Sequence, residues 1–143
     1  MFVGGTFLAP VVEDSGAVGG SLLRLLYAPA CHQMPERSLA VGGGHQAVCA
    51  RCSGLYLGGV LGLVAGAWLV TASGWPPRPW WLVAAAAPTF ADAVLPWIGG
   101  AGLSNVPRLL ITLPVGAAAG LFLAAGVADI ARSHSRRPSE CQQ

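Results

Sequence analysis

The chain has no lysine, and only 8 arginines and 6 acidic residues carry formal charge across its 143 residues. Charged residues make up 10% of the sequence, against roughly 25% in an average soluble domain, while hydrophobic residues make up 54%. So few charges cannot cover the surface of a soluble globule. The net charge of +2 is also too small to hold a polyanion, so no nucleic-acid partner is expected. No cation precedes the first apolar stretch, which argues against an ordinary signal peptide. Ala28-Pro29-Ala30-Cys31 is only a faint lipoprotein cleavage signal, with Ala where Leu is usual. No internal repeat is evident. The use of Arg in place of Lys, with abundant Ala and Gly, fits a GC-rich bacterial genome and hence a bacterial inner (plasma) membrane.

What the sequence does contain is long apolar runs. Trp81–Ile98 is interrupted only by Asp92, Pro107–Ala128 only by Arg108, and Ser53–Thr71 by no charge at all. At about 1.5 Å per residue each can cross a hydrocarbon core of about 30 Å. The expected fold is an all-α integral membrane protein with three transmembrane helices. A short N-terminal helix, tilted, interfacial or a fourth span, falls within Ala17–Ala30, which carries Arg24. The expected organisation is a flexible lead over 1–20, a membrane helical domain over 21–131 and a polar tail over 132–143.

Within the domain, Pro29 and Pro35 predict an irregular connection punctuated by Gly42-Gly43-Gly44. A helix is predicted from near His45 to about Thr71, ended by Gly74, Pro76, Pro77 and Pro79. The next opens at the Trp80-Trp81 pair, a usual interface anchor, and the last at Pro107. Pro88 and Pro114 should kink their spans. Arg132, Arg136 and Arg137 argue for a cytoplasmic C-terminus. The cysteine-bearing loop and the Gly99–Val106 loop then share the outer face, although Arg37 and Arg51 weigh against that orientation.

Three thiols and an imidazole stand at the mouth of these spans. On a helix from His45, the residues His45, Cys49, Cys52 and Tyr56, spaced four, three and four apart, form one stripe. Cys31-His32 must fold back from the preceding loop. Cys31, Cys49 and Cys52 with His32, or with His45 as the alternate, supply the four soft ligands of a tetrahedral zinc site; iron is also compatible. Such a metal can staple the loop to the helix, or keep one position open and activate water. The competing chemistry is thiol redox, with Cys49 and Cys52 cycling as a disulfide and Cys31 as shuttle. The fourth cysteine, Cys141, lies in the tail on the opposite side. A c-type haem is disfavoured because Ser53, not His, follows Cys52.

These residues also carry a resemblance. Cys31-His32-Gln33-Met34-Pro35-Glu36-Arg37-Ser38, followed by Val48-Cys49-Ala50-Arg51-Cys52-Ser53-Gly54-Leu55-Tyr56-Leu57-Gly58, resembles a group of small prokaryotic membrane proteins, domain of unknown function family 2085. Their pattern is CHQ-x-PERS and then C-x-RC-x-G-x-Y-x-G, and the likeness runs from about Leu22 to Ala128. The resemblance implies three or four membrane helices and no activity. Asp92, then Ser104, Asn105 and Arg108, match a later part of the pattern. The chain departs from it with Ala93 in place of Gly and Leu113-Pro114 in place of Thr-Gly.

Charge inside a span costs at least about 2.5–3.5 kcal/mol on insertion scales, so Asp92 and Arg108 should face protein or water, and they can pair. Asn105, Arg108, Thr112 and Gly116 fall on one helix face, where a guanidinium beside small residues can hold an anion. Asp92, Asn105 and Arg108 are therefore the candidate catalytic cluster. Glu36 and Arg37 are expected to pin the loop, by pairing with Arg51 or another motif residue. Tyr56 reads as a packing residue. Gly58, Gly62 and Gly66 form a small-residue ladder suited to a helix partner or a homo-oligomer, and Gly116 and Gly120 offer a matching surface. The expected function is that of a small membrane metalloprotein. Convergence of the two clusters makes it an enzyme acting on a lipid-phase or anionic head-group substrate. The alternatives are a thiol-disulfide redox protein and an assembly or accessory protein with a structural metal. Membrane lipid is the expected partner.

Overall fold

The computed structural model describes residues 4–5, 19–41, 44–73 and 78–136. Most of the N-terminal lead, and the tail beyond Arg136 with Cys141, lie outside these described residues. The elements run as α1 (Gly19–Tyr27), a 3-10 turn (Pro35–Arg37), β1 (Ser38–Val41), β2 (Gly44–Cys49), α2 (Ala50–Ser73), α3 (Trp80–Val94) with a 3-10 extension (Leu95–Ile98), and α4 (Asn105–Arg136). Among the described residues, three segments are long and apolar enough to cross a membrane: Ala50–Val70, Trp80–Ile98 and Asn105–Ser135. α1 has 9 residues. At about 1.5 Å per residue it covers about 13.5 Å, less than half the hydrocarbon thickness.

The glycine ladder finds its partner within the chain. Gly54 faces Leu109 and Thr112, Gly58 faces Leu113 and Ala117, Gly62 faces Ala117, and Gly66 faces Leu121 and Ala124. Contacts advance in the same direction along both helices, so α2 and α4 run parallel. A Cβ at Gly54, Gly58 or Gly62 would overlap α4, and one at Gly116 or Gly120 would overlap the α2 backbone. In lipid, where burial of apolar surface gives little drive between helices, such backbone-to-backbone approach is what holds a pair together.

α3 runs back between the other two in sequence and is held at few points. The Thr89 hydroxyl donates to Ile111 O at 3.0 Å, in the stretch of α4 whose backbone ladder Pro114 interrupts. Asp92 is the buried residue of this helix. Val83, Phe90 and Ile98 are exposed and apolar, a surface suited to lipid contact. The extension ends at Gly99, whose φ of +82° is open to glycine at little cost. That turn brings the 99–104 loop back over Asp92.

The main difference from the sequence expectation is a hairpin, while the last helix starts at Asn105, two residues before Pro107. The first long helix starts at Ala50, not near His45, because Gly44–Cys49 pairs as a strand with Ser38–Val41. The antiparallel register sets Ser38 opposite Cys49, Ala40 opposite His45 and Val41 opposite Gly44. His45 is thus on a strand and does not share a helical stripe with Cys52.

Candidate metal centre

The hairpin, the loop before it and the first turn of α2 assemble the thiols. Arg24 of α1 donates through Nη2 to His45 O at 2.8 Å, and Gln33 Nε2 donates to Arg24 O. Gln33 itself takes a φ of +51°, a left-handed conformation unusual for a residue with a Cβ. This reverses the chain directly after Cys31-His32, a bend that the flanking prolines alone do not supply. Tyr27, Cys31, Ala47 and Val48 form a buried cluster against which Cys49, Cys52 and Tyr56 pack. Burial pushes the Tyr27 phenol above its ordinary pKa. Underneath, Gln46 is fully buried and accepts the Ser53 hydroxyl at 2.8 Å, tying β2 to α2.

The structure brings together Cys31, Cys49 and Cys52, whose sulfurs all lie within 4.8 Å of one another. All three are free thiols. Cys31 is buried and its sulfur accepts the Cys49 backbone N–H at 3.2 Å. Cys49 is held well below an ordinary thiol, from 9.0 to about 5, chiefly by the hydrogen bond from the Cys52 thiol and against the opposing effect of burial. Zinc–sulfur bonds of about 2.3 Å in a tetrahedron set sulfurs about 3.8 Å apart, so closing on an ion takes an adjustment of about 1 Å or less. The donor set fits a soft cation. His32 is exposed and stands outside the group, but it lines the same ≈ 310 Å³ cavity as the three cysteines, with Gln33, Met34 and Arg37. His45 is exposed on β2 and stands outside both the group and this cavity.

The second cluster lies at the same end of the bundle and is joined to the first. Asp92, 3% exposed, accepts Arg51 Nε at 3.0 Å on Oδ2 and Leu103 N at 3.1 Å on Oδ1. Arg51 Nη2 bonds the same carboxylate oxygen and the Asp92 carbonyl. Arg108 Nε lies 3.3 Å from Oδ2 as an ion pair but without the alignment of a hydrogen bond, and among the described residues it has no hydrogen-bond partner. Asn105 Nδ2 donates to Glu36 O at 3.2 Å and Ser38 O at 3.0 Å, fastening the hairpin to the start of α4. Arg51, which stands between two of the cysteines, is thus committed to Asp92 and not to Glu36. Sequence reasoning gave Arg51 a pairing within the motif loop and left it out of the Asp92 cluster. The signal was there: a C-x-R-C arginine at a membrane surface and one mid-span acid need each other.

Residues 31–122 match the family described as "Predicted membrane protein (DUF2085)". The chain belongs to this family. It is 36% identical over 78 residues to an uncharacterised protein of Methanocaldococcus jannaschii, covering 54% of this chain and 50% of that relative. The chain therefore spans about half the length of the curated relative it matches. No solved structure matches it. Family membership and the three membrane-crossing helices together make this a multi-pass membrane protein.

Proposed function

We propose that the protein is a membrane metalloprotein in which Cys31, Cys49 and Cys52 hold zinc, or iron, at the membrane surface. The observation that carries this is the three sulfurs gathered within 4.8 Å by three separate elements. We rank His32 ahead of His45 as the fourth ligand, because it borders the cavity over the sulfurs. Three cysteine ligands, with His32 apart from them at the cavity mouth, would leave a fourth position open, the form of a catalytic centre, whereas closure by His32 would make a structural site. A zinc ion there supplies Lewis acidity at the open position. Asp92 orients Arg51 and Arg108, and Asn105 fixes the loop that carries the cavity rim. Arg108 would hold an anionic, lipid-phase or head-group substrate near the sulfurs. The cellular setting of this reading is a bacterial inner membrane. Convergence of the two clusters at one end favours the enzyme over a purely structural staple.

Elemental analysis of the detergent-purified full chain tests this. About one zinc or iron per chain is expected, abolished by Cys49→Ser. In His32→Ala the metal should be retained at stoichiometric loading, with affinity weakened about 10–100-fold, comparable to the loss of a supporting ligand. Absence of metal, with Cys49 and Cys52 found as a disulfide, would replace this reading by thiol redox chemistry. The depressed Cys49 pKa and the close, free thiols favour redox as the second reading.

A further inference from the structure

Beside the cavity over the sulfurs lies a smaller one of ≈ 60 Å³, lined by Arg37, Cys49, Arg51 and Arg108. The guanidiniums come from the 3-10 turn, α2 and α4, three elements separated in sequence. Arg37 and Cys49 border both cavities, so the two spaces share a wall. Arg51 and Arg108 share one counter-charge, Asp92. Arg37 makes no side-chain hydrogen bond or ion pair among the described residues. Three cations face one carboxylate around a small, partly open space, an excess of positive charge that the Cys49 sulfur on its wall reduces but does not cancel. The buried Arg108 Nε meets Asp92 only as an ion pair at 3.3 Å without hydrogen-bond alignment, so its hydrogen-bonding capacity is not satisfied among the described residues.

Arg51 and Arg108 are partly or largely buried and share a single carboxylate, so an anion that meets them together with the exposed Arg37 would complete their pairing. Three thiolates on a divalent ion would carry a net charge of about −1, which still leaves the combined cluster positive. We infer that the Arg37–Arg51–Arg108 cavity is a binding site for a tetrahedral oxyanion of the phosphate type. A water occupies about 10–15 Å³ of such space, so a cavity of ≈ 60 Å³ has room for at least about four water-sized groups, enough for a phosphoryl group. A phosphate monoester carries a charge of about −1.5 to −2 at neutral pH, enough to meet the remaining positive charge. A planar carboxylate suits the site less well, because Asp92 already occupies that role toward Arg51 and Arg108. Gly102 leaves the room that Arg108 Nη2 occupies, which fixes the guanidinium's place. The shared wall lets the organic part of a phosphate ester lie over the sulfurs. This inference deepens the metalloenzyme reading and rests on it for the ester's role as substrate, while binding itself is measured independently.

The test uses the full chain in phosphatidylcholine nanodiscs, with metal content measured on every sample. In one arm inorganic phosphate is titrated and thermal unfolding followed. In the other, phosphatidic acid replaces part of the phosphatidylcholine and no free phosphate is added. A rise in Tm with phosphate assigns the site to a soluble phosphate compound; a rise only with phosphatidic acid assigns it to a lipid head group. In either arm Arg37→Gln should weaken apparent affinity about tenfold, as expected for one charge-assisted contact, and Arg37→Lys less. Because Arg37 is exposed and holds no partner among the described residues, its loss should leave the fold and the metal content intact. Absence of stabilisation in both arms, or equal stabilisation of Arg37→Gln, overturns the inference whether or not metal is present. A metal-free wild type that still binds phosphate through Arg37 overturns the metalloenzyme reading and leaves the oxyanion site standing.

Discussion

Asp92→Asn is the most informative single change, because one carboxylate serves two guanidiniums and a backbone amide. The substitution keeps shape and removes charge. Oδ1 can still accept Leu103 N, but the second position then offers an amide N–H to the donors of Arg51 and Arg108. Breaking a buried ion pair from one side costs about 3–5 kcal/mol. The Arg51 side chain is 31% exposed and the Arg108 side chain 15%, so water relieves part of the loss and the low end, about 3 kcal/mol, is expected. For a chain of this length that corresponds to a fall in Tm of roughly 10 °C. Thermal unfolding in detergent, followed by tryptophan fluorescence, reads it. Arg51 lies between Cys49 and Cys52, so metal affinity should fall with stability, by about 10–100-fold. A cycle with Arg51→Gln should return a coupling of about 1–3 kcal/mol. Unfolding of Asp92→Asn within about 1 °C of the wild type, with metal content unchanged, would mean that the carboxylate does not organise the site.

Two further outcomes follow from packing and ionisation. Gly58→Ala would drive a Cβ into the α4 backbone, whereas one at Gly59 would come no closer than 3.9 Å to Gly116 O. The first should destabilise by about 1–3 kcal/mol and the second by little, compared in a denaturation series in one detergent. Equal effects would refute the parallel α2–α4 seam. For the metal-free protein, the folded-state pKa of Cys49 lies below the unfolded value, so the unfolded chain binds more protons between about pH 5 and 9. Stability should therefore rise with pH across that window and be lost as pH falls toward 5. Cys49→Ser should flatten the profile, and an unaltered slope in that variant would assign the dependence elsewhere.

The spans were legible because their signal is length and composition, which the bilayer imposes on any sequence. The parallel seam was half legible: spacing gave the ladder on α2 and its match on α4, but not whether the partner lay within the chain. The thiol cluster was legible as chemistry and not as architecture. A spacing of four, three and four from His45 to Tyr56 fits a helix, yet a strand won over Gly44–Cys49 because β1 pairs with it. Gly42-Gly43 between two short runs was the hairpin signal that could have shown this. The left-handed Gln33 had no signal at all, since its conformation depends on partners in α1. The Arg51–Asp92 pair spans 41 residues of sequence. Helical periodicity is blind to such a separation, and only the cost of two lone charges in lipid points to it.

The order in which the parts emerge during synthesis gives the α2–α4 seam a further meaning. All three thiols lie within the first 52 residues, but Asp92 is made only with the second span, and Asn105 and Arg108 only with the third. Because α2 and α4 point the same way, the third span can join the first only after the chain has crossed and returned. The cysteines can gather early, while the carboxylate, the second guanidinium and the amide that fastens the hairpin arrive last. A chain stalled after its second span would display the sulfurs without their full support, so completion of the charged cluster records that the whole membrane domain has been built.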